Sequence, residues 1–79
     1  MKENQFVDYM VFEPRQVNQE EVEQHFSALM KQPKVFMTEV FSPFYNEIGF
    51  VFSTNKVREE EALRYFEEER EQEYEEMGV

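Results

Sequence analysis

The residues able to do chemistry are few, and most are of one kind. The chain has one His, His25, one Asp, Asp8, no Cys, three Ser and only two Gly, Gly49 and Gly78. Thiol catalysis is closed, and a Ser-His-Asp site would have to be built on His25, Asp8 and one Ser, none of them in a nucleophile motif. Two glycines make no phosphate-cradling loop. Glu21 and His25, four residues apart, are the one mixed pair at metal-ligand spacing. A metal centre needs more ligands than two, so the pair reads as a helix-surface contact, and no metal or cofactor is expected.

What remains is carboxylate. The segment EEEALRYFEEEREQEYEEM, residues 59–77, holds ten Glu and two Arg and so carries −8 of the chain's net charge of −10. Acid-base catalysis by paired carboxylates needs two acids in unlike environments within a pocket, whereas glutamates on one solvated helix face share a single environment. The sequence therefore argues for a binding protein and against an enzyme. Its polarised negative charge repels nucleic acid and anionic membranes and speeds encounter with basic partners.

The elements that would position these acids can be read along the chain. QFVDYMVF, residues 5–12, predicts a first strand ending before Pro14. Phe6, Met10 and Phe12 lie on one side of it and Val7, Tyr9 and Val11 on the other, so it wants cover on both sides. Next, Asn18 is placed to cap a helix, with Glu21 completing a capping box and Val17 and Val22 a hydrophobic staple. Val22, Phe26, Leu29 and Met30 keep helical spacing, and Pro33 stops the run, predicting a helix over 19–31.

KVFMTEVFSPFYNEIGFVFST predicts strands over 35–41 and 48–53 around a turn containing Ser42, Pro43 and Asn46 with two rings, Phe44 and Tyr45. Gly49 marks a bulge or a close backbone approach. A second helix follows over 56–77. Ala62, Leu63, Phe66, Tyr74 and Met77 form its apolar stripe, interrupted by Arg70, and its end is expected to fray from about residue 70. Gly78 is placed to stop it.

The order strand, helix, strand, strand, helix over 79 residues predicts a single α+β domain, 1–79. The expected architecture is a three-stranded, mainly antiparallel sheet with both helices on one face. Val7, Tyr9, Val11, Phe36, Val40 and Val51 would then form an open apolar face, the mark of an interface. The polar start, MKENQ, and the lack of a long apolar run predict a cytoplasmic protein.

Two functions fit this pattern. In the first, Glu60, Glu67 and Glu71 flank the apolar stripe and Glu61, Glu68 and Glu75 form the next row, a negative face about 28 Å long. Its net charge, roughly one per 3.6 Å, is about half as dense as duplex DNA at about one per 1.7 Å. Such a face, with Phe44, Tyr45 and Tyr65 as aromatic contacts, would occupy the basic, nucleic-acid-binding surface of a partner protein. Small size and acidic composition are similar to those of phage-encoded inhibitors of host defence, including anti-restriction and anti-CRISPR proteins; no family motif is shared. In the second, Val7, Tyr9 and Val11 on the open sheet face join the chain to itself as a homodimer or to another protein, and the acidic helix only solubilises it.

Overall fold

A computed structural model describes residues 5–29 and 34–76. The strands are β1 (Phe6–Phe12), β2 (Phe36–Ser42) and β3 (Glu47–Ser53), and the helices are α1 (Gln19–Leu29) and α2 (Glu59–Glu76). The class, the β-α-β-β-α order and the antiparallel pairing are those the sequence predicts. Met30, Pro33, Met77 and Gly78, used above to bound the helices, lie outside the described residues.

The sheet runs β1-β3-β2, with β3 pairing antiparallel to both neighbours. The β2–β3 hairpin places β3 in the middle, and α1 is the crossover that carries the chain from one edge to the other. β3 alternates Ile48, Phe50 and Phe52 with Gly49, Val51 and Ser53, and Gly49 through Ser53 are all buried. A central strand with two apolar faces needs two covers, and this overturns the expected placement of both helices on one face. Val22, Phe26 and Leu29 of α1 pack with Phe50, Phe52, Met10 and Phe12. Ala62, Leu63 and Phe66 of α2 pack on the opposite side with Val40, Val51, Tyr9 and Val11.

Local signals explain the start of each helix. Asn18 accepts a bond from the Glu21 backbone N–H at 3.1 Å, and its carbonyl accepts the first helical bond, from Val22, as an N-cap residue should. Glu61 reaches back to the Arg58 N–H at 3.2 Å, so α2 begins at Glu59, later than the 56 expected. In the hairpin turn, Ser42 Oγ accepts the Tyr45 N–H at 3.2 Å and Asn46 adopts φ 57°, a left-handed conformation that Asn tolerates better than most residues.

Two backbone features tune the sheet. A Cβ at Gly49 would lie 2.5 Å from the Phe66 ring, so Gly49 is the close approach of helix to strand, and its register with both neighbours is unbroken. The irregularity falls instead in β1, between Phe6 and Asp8. It turns Phe6 to the α2 side, opposite Ser53, and leaves Val7 exposed, so Phe6 does not share a face with Met10 and Phe12 as strict alternation requires. Among the described residues no helix is long and apolar enough to cross a membrane.

Candidate acidic-aromatic site

Helical spacing distributes the α2 glutamates around its exposed surface, and the hairpin decides which of them gain company. Ser42, the last residue of β2, donates from Oγ to Glu67 Oε2 at 2.7 Å, fixing one flank of α2 over the start of the turn. Tyr45 stacks on Tyr74 of α2, with centroids 5.3 Å apart, and Phe44 meets Tyr45 edge-on at 4.7 Å. The turn therefore lies against the helix. A shallow groove of about 320 Å³ results, lined by Phe44, Tyr45, Arg64, Glu67, Glu68 and Glu71.

Two groups of residues singled out separately in the sequence thus converge. Phe44 is 80% exposed at the groove's rim. Burial raises the Tyr45 phenol above its usual value, and the fields of Glu71 and Glu67 add to the shift. Glu68, Glu71 and Glu75 are exposed, and among the described residues none has an ion-pair partner.

The other predicted residues lie apart. Glu60 forms an exposed pair with Arg58 at 3.8 Å, Glu61 serves the helix start, and Glu75 is exposed beyond the groove. Tyr65 stacks on Phe6 at 4.2 Å on the β1 side of α2 and is part of the core margin. Tyr9 and Val11 pack beneath α2 together with Val40 and Val51, so the open apolar face does not exist; of the three proposed contacts there, Val7 alone is exposed. Its exposure comes from the irregular register of β1.

The network that holds α2 in place was not legible in the sequence. Arg70, which reads as an interruption of the apolar stripe, continues it: Ala62, Phe66 and Arg70 recur every four residues and all are buried. Arg70 Nε and Nη2 donate to the two carboxylate oxygens of Glu47 at 2.9 and 3.0 Å, a two-point clamp between α2 and β3. Nη1 donates to Glu73, which also accepts the Tyr9 hydroxyl, and Tyr74 donates to Glu47 at 2.9 Å. The Glu47 bonds are the main reason the Arg70 pKa is raised above its usual value. Four-residue spacing gave a signal for Arg70; nothing local pointed to Glu47.

His25 also has a different partner from the one its helix offered. Its Nε2 lies 2.8 Å from Asp8 Oδ2 across the α1–β1 interface, where Glu21 had been the expected neighbour. A His-Asp pair is the orienting half of a catalytic triad, but among the described residues no nucleophile bonds to the other ring nitrogen. Among the described residues no three metal-ligating side chains gather.

No family model matches this chain, and no curated protein or solved structure is significantly similar to it.

Proposed function

We propose that this chain is a small acidic binding protein that occupies the basic, nucleic-acid-binding surface of a partner protein, offering carboxylates where phosphates would bind. One observation carries the reading: a largely exposed ring, Phe44, stands in the same groove as Glu68 and Glu71, two carboxylates without an ion-pair partner among the described residues. Folding explains neither feature, whereas an interface uses both. Charges at the rim steer association, and a desolvated aromatic supplies a hot spot. An inhibitor or regulator that competes with nucleic acid, of the kind phage encode against restriction and CRISPR enzymes, would have this surface and would act in the host cytoplasm.

The test begins with capture from a nuclease-treated bacterial lysate, eluted by rising salt. A nucleic-acid-processing protein released by salt is the expected partner, because exposed charge pairs are screened. Glu68→Lys, Glu71→Lys and Glu75→Lys are then combined. Glu67 is left intact, since it holds Ser42. The triple variant is expected to fold normally and to lose about tenfold or more in association rate. Unchanged affinity in a folded triple variant would overturn the proposal.

A further inference from the structure

We infer that the free edge of β2 is a docking site for an extended segment of the partner, which joins the sheet as a fourth strand. The two edges of the sheet differ. β1 is blunted by its irregular register at Val7, and its Met10 and Phe12 are already packed in the core. β2 pairs with β3 in unbroken register over all 7 of its residues and contains no Pro or bulge; its one charged side chain, Glu39, is the only device of the kind that usually protects an edge.

Its side chains are also unfinished. Val40 and Ser42 are buried under α2, whereas Met37 and Phe41, on the α1 side, are 41% and 48% exposed because α1 covers β1 and β3. Glu39 stands exposed between them.

Charge decides the occupant. A second copy pairing antiparallel about Glu39 would oppose carboxylate to carboxylate and bring together two chains of net charge −10 each. A basic strand meets no such opposition. Apolar residues opposite Met37 and Phe41 would complete the α1 side, and a Lys or Arg would pair with Glu39. On the α2 side, the residue opposite Ser42 would approach Glu67, the helix carboxylate bonded to that serine. Main-chain bonds supply affinity in such an addition, and alternate side chains supply specificity. The inference rests on the proposed function only for the sign of the partner's charge.

The probe is the capped peptide Lys-Val-Lys-Lys-Thr-Val-Thr, written to run antiparallel with its first residue opposite Ser42. It is titrated into the isotope-labelled full chain and followed by NMR. The expected result is saturable shifts centred on residues 36–42 with slowed exchange of amides there. Peptide affinity should fall about tenfold or more when Met37→Lys and Phe41→Lys are combined. Those side chains are exposed, and thermal unfolding of the variant verifies that the fold is kept. A peptide of the same composition in scrambled order, and one with Glu in place of each Lys, should bind correspondingly less well. Equal binding by either control, shifts confined to α2, or concentration-dependent self-pairing through β2 in the absence of peptide would each overturn the inference. Lysate capture does not depend on this result, nor the peptide titration on lysate capture, so either reading can fail while the other stands.

Discussion

The two faces of the sheet are closed by different chemistry. Under α1 the contact is hydrocarbon and aromatic: Val22, Val35, Phe50 and Phe52 form its buried centre, and its polar pair, His25 with Asp8, sits half-exposed at the margin. Under α2 the apolar contact is Val40, Val51, Ala62 and Phe66, and further along the helix Arg70 replaces hydrocarbon with a buried, hydrogen-bonded cation. Apolar area tolerates modest misplacement, because burial is not directional. A guanidinium held by two oxygens of Glu47 is directional, and it fixes where the acidic helix and its groove stand relative to the hairpin.

The largest expected effect breaks that difference. Arg70→Ala leaves the Glu47 carboxylate, itself only 12% exposed, without its cation, and should cost about 3–5 kcal/mol in a denaturant melt. Replacing both partners with apolar residues of similar volume should cost far less, because no buried charge is then left alone. If Arg70→Ala were as mild as that double replacement, the clamp would be contributing packing alone.

Next in size is Gly49→Ala, which tests the fit of α2 on the sheet. The added methyl would enter the space of the fully buried Phe66 ring, and the expected loss is about 1–3 kcal/mol.

These two positions also show what could be read in advance. Gly49 was legible as a bulge or a close approach, because a glycine within an apolar strand has few other uses, and the Phe66 ring against it decides for the second. The elements, their order and the Asn18 cap were legible because periodicity and capping are local. The assignment of helices to faces was not: it depends on β3 becoming the central strand, a pairing outcome, although the double-sided β1 pattern already asked for cover on both sides. For the candidate site, the acids and the Phe44-Tyr45 turn were each visible, and their convergence was not, because it is made by Ser42 reaching Glu67 and Tyr45 reaching Tyr74. Arg70 was misread because a buried cation looks like a gap in an apolar stripe until its carboxylate partner, distant in sequence, is known.

A smaller effect belongs to the outer end of the clamp. The Tyr9 phenol is pushed up to about 12 from an ordinary 10.0, first by burial and then by its bond to Glu73. An acid whose pKa is higher in the folded state gives its full stabilisation below the unfolded value and loses it as the pH rises through the folded one. Stability should therefore decline between pH 10 and 12, and Tyr9→Phe should flatten that decline. At neutral pH the variant loses one hydrogen bond, about 0.5–1.5 kcal/mol, while Glu73 keeps Arg70. An alkaline melt series on both proteins measures the two quantities together; an unchanged slope in the variant would exclude Tyr9 as the titrating group.

The smallest effect carries an informative sign. Glu71 is exposed on α2 with Glu67 and Glu75 four residues to either side and Glu68 three residues before it. Like charges at these spacings destabilise a helix, and a Lys there would turn repulsion into attraction. Glu71→Lys is therefore expected to stabilise the chain by about 0.2–0.5 kcal/mol, the reverse of the usual direction for a substitution. The same change should slow association with a basic partner, so thermal melts and binding rates would move in opposite senses. That opposition would mean the negative face is kept at some expense to folding, which a merely solubilising role does not require. A Lys that stabilised the helix and left binding untouched would instead return the glutamates to solubility, while leaving the Arg70 clamp to hold the fold as before.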